Sequence, residues 1–203
     1  TSNFGIFARA ANIKGSNLVI ANNGQSSLAC TYGGTYNFTH ATFANFWSGG
    51  IREFPAVLVN NFQSSTGGND SGELVVNDLL AANFTNCIID GNQSIEFLLQ
   101  KNDQAAFNFK FKNNLLRFSN PGGNPSDNPL YDFDDTDKYQ DNIFNGEPDF
   151  EEVNENKFRI GDASDAKANA DRSAAQQVPF DLLGVNRIIS PDMGAYQHII
   201  FEE

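Results

Sequence analysis

Several residue types are scarce in this chain of 203 amino acids, and each shortage narrows what the chain can be. It has one methionine, one tryptophan and only two cysteines. Because two cysteines are too few for a disulfide framework, Cys30 and Cys87, each within an apolar stretch, are predicted to be buried free thiols. No apolar run approaches the roughly 18 residues that span a bilayer, and Thr1 does not open a signal peptide. We therefore expect any targeting segment to lie upstream of Thr1.

Basic residues are also few, with 13 Lys and Arg against 25 Asp and Glu, so the formal net charge is −12. A chain of this charge would repel a phosphate backbone, and it has no basic stripe along which nucleic acid could lie. Nucleic acid is therefore excluded as a partner. An acidic surface is interpreted as a solubility device, although it would also suit divalent cations.

What the chain has in abundance is Phe (19), Gly (17) and Asn (27), and it repeats them. Asn is a turn former, so its abundance predicts many turns. Segment 37–43, NFTHATF, recurs as 83–89, NFTNCII, more loosely as 111–116, FKNNLL, and in outline as 12–18, NIKGSNL. If Ile13, Phe38, Phe84 and Phe111 are equivalent, the steps are 25, 46 and 27 residues. A polar stretch rich in Gly and Ser explains the long step as an insertion loop near residues 62–73.

Short strand-like runs lie between these anchors, and none is long enough for a helix. A period of about 25 residues with two or three short strands is typical of a β-solenoid. We predict an all-β fold in which residues 1–120 form a right-handed parallel β-helix of about four to five coils, part of a longer solenoid. Phe side chains would stack along its axis. Asn ladders would line its corners, and the candidates are Asn22, Asn60, Asn86 and Asn114. The alternatives are a β-sandwich, whose strands lack a coil-length repeat, and a leucine-rich repeat, whose spacing is absent.

The pattern of apolar core residues is interrupted at Pro121. Residues 121–129 have no core pattern, and acidic residues follow at once. Because the open end of a solenoid exposes unpaired backbone, residues 121–203 are predicted to be an irregular capping module. The candidate ligands for a structural Ca²⁺ are Asp132, Asp134, Asp135 and Asp137. The run lacks the Gly and distant Glu of an EF-hand loop, so a solvated acidic loop is the alternative. No other cofactor is expected.

Five ordered motifs lie in residues 148–197, and they are Pro148-Asp149-Phe150, Phe158-Arg159-Ile160-Gly161, Ala163-Ser164, the segment from Asp181 to Arg187, and Pro191-Asp192-Met193-Gly194-Ala195-Tyr196. This order and spacing resemble the choice-of-anchor Q domain, which ends many right-handed parallel β-helix proteins on bacterial surfaces, notably in Bacteroidetes. Segments 33–40 and 83–87 also resemble flavobacterial β-helix proteins. The resemblance implies a secreted, cell-surface or outer-membrane location, such as that of a lipoprotein. Two residues depart from the pattern: Asp165 stands where the family usually has Pro, and Gln197 where it has Glu.

The matched motifs supply the residues expected to hold the cap. Arg187 is expected to form a bidentate pair with Asp181 or Asp192. Gly194 would allow close backbone approach, and Tyr196 would cover apolar surface while its hydroxyl finds a polar partner.

No catalytic set is visible in the sequence. His40 occupies a repeat position held by Asn86 and Asn113 in other coils, which favours a corner hydrogen bond, and His198 is expected at the surface. The candidate face for a glycan or a partner comprises Lys110, Lys112 and Arg117; the alternative is that they are solvated side chains. We therefore predict a non-catalytic envelope protein that does not span the membrane and presents a solenoid face to an outer-membrane protein partner or a glycan. The alternative is an enzyme similar to polysaccharide lyases or hydrolases.

Overall fold

A computed structural model describes residues 2–64, 74–119 and 128–201. Regular structure in these residues is mostly β-strand, which confirms the all-β class. The strands are β1 (Phe4–Ser16), β2 (Val19–Ala21), β3 (Ser26–Thr39), β4 (Thr42–Asn45), β5 (Val57–Asn60), β6 (Phe62–Ser64), β7 (Leu74–Val76), β8 (Leu79–Thr85), β9 (Ile88–Gly91), β10 (Phe97–Gln100), β11 (Phe107–Lys112), β12 (Leu115–Leu116), β13 (Tyr139–Gln140), β14 (Ile143–Phe144), β15 (Phe150–Glu152) and β16 (Lys157–Ile160). One short helix, α1 (Arg172–Gln177), accompanies them, together with 3₁₀ turns at Pro129–Tyr131 and Val153–Glu155. None of the described helices has the length and apolar character that a membrane crossing requires.

Most strands belong to two parallel sheets. The large sheet has the order β10-β5-β3-β8-β11-β13, with β1 also paired to β3, and the small sheet has the order β14-β12-β9-β4-β2. Strands β1, β3, β8, β11 and β13 of the large sheet are each followed along the chain by a strand of the small sheet. The chain therefore passes repeatedly from one sheet to the other in the same direction.

The long repeat step lies between β3 and β8. The first half of β3 pairs with β5 and the second half pairs with β8, so one long strand has two successive partners on the same side. Strands β6 and β7 form an antiparallel pair outside both parallel sheets. They flank the predicted insertion, whose residues 65–73 lie outside the described part of the chain. Residues 120–127, at the start of the predicted capping module, also lie outside it.

A column of stacked aromatic rings runs through the core between the two sheets. The ring centroids of Phe38 and Phe84 are 5.6 Å apart, those of Phe84 and Phe111 are 5.0 Å apart, and those of Phe111 and Tyr139 are 5.6 Å apart. Phe43 of the small sheet packs edge-on against Phe38 at 5.2 Å. The predicted stacking of Phe38, Phe84 and Phe111 is confirmed. The two cysteines are also buried and free, as predicted.

The predicted equivalence of Ile13 with these phenylalanines is wrong by two residues. Ile13 pairs with Tyr36, whereas Gly15 pairs with Phe38. A side chain at Gly15 would meet Leu18 Cδ1 at 2.6 Å and Phe38 Cδ1 at 3.0 Å, so neighbouring side chains already fill its inward position. The backbone of Gly15 therefore occupies the repeat position of Phe38, although a glycine has no side chain that would show this in the sequence.

Left-handed turn residues connect the large sheet to the small one. Their φ angles lie between 49° and 57°, and the backbone N–H of each of the first four donates to a carbonyl of the next strand. This corner column consists of Asn17, His40, Asn86, Asn113 and Asp141. Asn tolerates this conformation better than most residues, which explains part of its abundance.

The four Asn predicted as one corner ladder do not form one column, and one of them, Asn60, is the last residue of strand β5. Asn86 belongs to the corner column, and Asn22 has its own left-handed turn after β2. Asn114 is buried one residue beyond the corner, where its amide donates to Phe84 O and Asn142 Oδ1. Asn60 accepts from the backbone N–H of Tyr32. The prediction placed the residue type at turns but missed which turns stack.

Residues after 145 lie mainly against the outer face of the small sheet. A second hydrophobic cluster joins Ile88 and Leu115 of that sheet to Ile160, Ala166, Ala170 and Met193. Hydrogen bonds link this C-terminal module to Asn17, Thr42, Asn86 and Asn113, which lie on successive strands or their turns. The module therefore runs along the side of the sheets, and it does not merely cover one end.

Phe84→Ala should be strongly destabilising, because it opens a cavity between two stacked rings of the core column. We expect a loss of about 3 to 5 kcal/mol in the free energy of unfolding, measured by denaturant titration. The matched control is Asn83→Ala on the same strand, whose outward side chain makes one hydrogen bond, to Asn37. That variant should lose about 1 kcal/mol. Equal losses in both variants would contradict a core that lies between the two sheets.

Candidate functional site

A polar groove lies along the outer face of the large sheet. The aromatic column packs against the inner face of the same sheet. Side chains alternate along a strand, so burying Phe38, Phe84 and Phe111 turns their neighbours outward. The parallel register aligns these neighbours in two rows across β1, β3, β8 and β11. One row is Lys14, Asn37, Asn83 and Lys110, and the other is Ser16, Thr39, Thr85 and Lys112. We call this surface the lysine groove.

Helix α1 borders the lysine groove along one side. Two adjoining cavities, of about 430 and 300 Å³, share Thr39, Thr85 and Lys112 in their lining. Asp171 caps the helix, since its Oδ1 accepts from the Ala174 N–H at 2.8 Å, and its Oδ2 lies 2.7 Å from Lys112 Nζ. The helix therefore depends on the same lysine that lines the groove.

The groove carries more positive than negative charge although the chain as a whole is acidic. Lys14 and Lys110 form no ion pair with any residue in the described ranges, whereas Lys112 is paired with Asp171. Burial tends to raise the pKa of Asp171, but the Lys112 ammonium, the Ser173 hydroxyl and the Ala174 amide outweigh it and hold that pKa at about 2. The one carboxylate among the lining side chains of these cavities is thus ionised and neutralised by Lys112.

The predicted basic strip is only partly assembled. Lys110 and Lys112 lie side by side on the outer face of β11, but Arg117 follows β12 of the small sheet. Its Nε donates to Asp90 Oδ1 at 2.7 Å, and burial raises the pKa of the Asp90 carboxyl. Arg117 therefore does not belong to the lysine groove. Lys14 does belong to it, and sequence reasoning missed this residue although a two-residue error in register leaves a side chain on the same face of a strand.

The acidic run after β12 does not form a cluster of ligands. Asp132 and Asp135 accept hydrogen bonds from the backbone of Asp134 and Asp137, respectively, and Asp135 also pairs with Lys138 at 2.6 Å. In the described part of the chain, no three His, Cys, Asp or Glu side chains gather where they could hold a metal ion. Two of the four candidate carboxylates, those of Asp132 and Asp135, therefore stabilise the turn in which they lie.

Two buried aspartates organise the C-terminal motifs. Asp181 accepts from the backbone N–H groups of Leu183, Val185 and Gln197, each at 2.8 to 2.9 Å. Asp192 accepts from the N–H of Ala168 at 2.7 Å, and its other oxygen lies 2.8 Å from His198 Nδ1. His198, expected at the surface, is therefore partly buried and fixed. Both aspartates bind backbone amides, which satisfies polar groups that would otherwise be unpaired.

The expected ion pair of Arg187 with Asp181 or Asp192 is not formed. Arg187 is fully buried, and its guanidinium donates to the carbonyls of Gly194 and Ala195 at 3.2 Å and to Asn17 Oδ1 at 3.0 Å. Burial lowers the pKa of Arg187 to about 10, against the opposing charges of the two aspartates. The aspartates are occupied by backbone amides, so the arginine binds backbone carbonyls and ties the last motif to the first corner turn.

The two departures from the family pattern have local partners. The Gln197 amide accepts from the Asp192 N–H and donates to the Ser190 carbonyl, both at 2.9 Å. A carboxylate at this position could only accept. Asp165 Oδ2 accepts from the Glu147 N–H at 2.7 Å.

Gly194 is the closest approach of the C-terminal module to the small sheet. Its φ is 89°, its N–H donates to Asn86 O at 2.7 Å, and an added Cβ would lie 2.7 Å from Ile88 Cδ1. Tyr196, expected to cover apolar surface, is half-buried. Its loss should cost less than the roughly 3 to 5 kcal/mol of a fully buried aromatic side chain.

His40 is, like Asn86, a fully buried member of the corner column. Its Nε2 lies 2.9 Å from Asn86 Nδ2 and therefore accepts, which places the ring proton on Nδ1. Burial, and secondarily the charge of Arg187, lowers the pKa of His40 to about 3. The structure thus gives His40 a hydrogen-bonding position beneath the C-terminal module.

Gly194→Ala tests whether the C-terminal module docks tightly on the sheet. Gly184 is the matched control, because its φ is also positive, at 83°, but an added Cβ would meet nothing within 4 Å. Gly184→Ala should lower the free energy of unfolding only by the cost of a Cβ on a left-handed backbone, about 1 to 2 kcal/mol. Gly194→Ala should lose clearly more, since Ile88 and Thr42 must also move. Equal decreases in the stability of both variants, measured by thermal unfolding, would contradict tight docking at Gly194.

His40 should make stability depend on pH. An unfolded histidine takes up its proton near pH 6.5, whereas folded His40 does so only near pH 3. The free energy of unfolding that depends on neutral His40 is therefore complete above about pH 6.5. Below that pH it falls by about 1.4 kcal/mol per pH unit. His40→Asn, which restores the residue found at other corners, should remove this slope between about pH 6 and 4.5. Identical slopes in denaturant titrations of both proteins would exclude His40 as the cause.

Compared with protein-family models, curated proteins and solved structures, the chain matches none. The resemblance of residues 148–197 to the choice-of-anchor Q domain therefore stays a prediction. Function has to be argued from the lysine groove itself.

Proposed function

We propose that the two parallel sheets are faces of a single right-handed parallel β-helix. The repeated passage from large to small sheet, the aromatic column and the corner column all support this architecture. Connections between parallel strands are right-handed in nearly all known cases. The C-terminal module then lies along one side of the solenoid and leaves the lysine groove open.

We further propose that the protein is a non-catalytic envelope or secreted protein that binds an anionic glycan in the lysine groove. The observation that carries this proposal is the placement of Lys14 and Lys110, free of ion pairs within the described residues, at opposite ends of a polar row. Three strand spacings separate them, roughly 14 Å. That length suits several sugar units of a chain lying across the strands.

The chemistry of the rows favours a glycan over a protein partner. Ammonium groups at both ends can bind uronate carboxylates or sulfates through charge-assisted hydrogen bonds. Between them, the Asn37 and Asn83 amides and the Thr39 and Thr85 hydroxyls can donate to and accept from sugar hydroxyls. A protein interface would bring aromatic and aliphatic anchors instead, and these two rows supply none.

An enzyme acting on the same glycan is the second candidate, favoured by the position of Lys110, which would have to be deprotonated to accept the proton next to a uronate carboxylate. A hydrolase would need a carboxylic acid whose pKa is raised, so that it can protonate the leaving group. Asp171 is the carboxylate that lines the groove, and its pKa is held at about 2. Its ionised state supports binding over hydrolysis.

Removal of the charges at the two ends of the groove provides the test. Oligogalacturonates should bind the wild-type protein in calorimetry, with an affinity that falls at high salt. The double variant Lys14→Gln, Lys110→Gln should bind them at least about tenfold more weakly, since two charge-assisted contacts are lost. Neutral malto-oligosaccharides should not compete for this site.

The control is Lys157→Gln, because Lys157 lies outside the groove and pairs with Glu155. Lys112 is left unchanged, since it also holds Asp171. Unchanged affinity in the double variant would overturn the proposed site. Formation of unsaturated uronate products, followed by ultraviolet absorbance, would replace binding with lyase activity.

A further inference from the structure

A second, uncharged pocket lies away from the lysine groove, where the loop after β4 meets the C-terminal module. Its volume is about 300 Å³, at the small end of the range for ligand pockets. On one side it is lined by Asn22 and the segment Phe46, Trp47 and Ser48, and on the other by Asn154 and Asn156. We call it the tryptophan pocket, since Trp47 is the only tryptophan of the chain.

The walls of the tryptophan pocket are fixed by hydrogen bonds between distant segments. Asn22 Nδ2 donates to Val153 O at 3.2 Å and to Asn156 Oδ1 at 2.7 Å, while its Oδ1 accepts from the Phe46 N–H at 2.9 Å. The ring of Phe46 packs against Phe158 at 6.3 Å. One asparagine thus joins both walls, and the pocket is preformed.

Trp47 is held by its backbone, and its ring is only half-buried. Its N–H donates to Asn45 Oδ1 at 3.3 Å, and its carbonyl accepts from Asn92 Nδ2 at 3.0 Å. Within the described residues, the indole N–H, the Ser48 hydroxyl and the Asn154 amide have no hydrogen-bond partner. A fixed aromatic ring therefore stands beside several polar groups with unused hydrogen-bonding capacity.

The tryptophan pocket presents no charged side chain to a ligand. None of its lining side chains is charged; Glu152 and Glu155 adjoin the lining residues in sequence, and Glu155 is paired with Lys157. A ligand with many hydroxyls and no charge matches amides, a hydroxyl and an indole N–H, and the apolar face of a sugar ring can pack on an aromatic side chain. We propose that the tryptophan pocket binds one neutral sugar unit, independently of the lysine groove.

Trp47 itself reports on this site, because intrinsic tryptophan fluorescence comes from this residue alone. Titration with galactose, mannose and N-acetylglucosamine, and with their short oligosaccharides, should give a saturable emission change with at least one of them. Asn154→Ala and Ser48→Ala should each weaken that binding several-fold to about tenfold, since each removes one hydrogen-bonding group. Both residues are exposed, so the folded state should be retained.

Two matched controls separate this proposal from the groove proposal. The Lys14→Gln, Lys110→Gln variant should bind the neutral sugar with unchanged affinity, and Asn154→Ala should bind oligogalacturonates as the wild type does. A flat fluorescence titration with every neutral sugar overturns the pocket proposal and leaves the groove untouched. A response that disappears in the lysine variant also overturns it, because the sugar would then lie in the groove.

Discussion

In-register parallel pairing of Phe38, Phe84 and Phe111 is the constraint on which the rest of the structure depends. Side chains alternate along a strand, so a shift of one residue would turn these rings to solvent and the groove residues to the core. The interplanar angle between Phe84 and Phe111 is only 7°, which shows how closely the strands superpose. The two polar rows of the lysine groove follow from the same register. The lysine groove and the core thus lie on opposite faces of the same strands.

The corner column links this pattern to the C-terminal module. Asn86 has a left-handed backbone that turns the chain toward the small sheet, and its carbonyl accepts from the Gly194 N–H. Its amide donates to Asp171 O at 3.0 Å and accepts from the Asp171 N–H at 2.7 Å. One residue therefore fixes both the last motif, through its carbonyl, and the start of helix α1, through its side chain. Asn can do this because it combines tolerance of positive φ with a donor and an acceptor.

The sequence predicted the features that repeat and missed those that join distant segments. Stacking of Phe38, Phe84 and Phe111 was predictable because the same residue type recurs with the same neighbours. The position of Gly15 in that column was not, since a glycine carries no hydrophobic signal. The pair of Lys112 with Asp171 joins residues 59 apart, and no local spacing indicates it. A buried arginine that binds carbonyls instead of nearby aspartates likewise depends on which acids are already satisfied.

Asp171 is the residue through which the C-terminal module and the groove affect each other. Its carboxylate holds Lys112 at the groove wall, caps helix α1 through the Ala174 N–H, and its backbone is bound by Asn86. All three contacts are made by the side chain and the adjoining peptide groups of Asp171. Displacement of the C-terminal module would therefore remove helix α1 from the side of the lysine groove and release Lys112. The shape and charge of the groove are therefore set by the docking of residues far along the chain. A C-terminal segment that shares no described strand with either parallel sheet can in this way determine the shape and charge of the outer face of the large sheet.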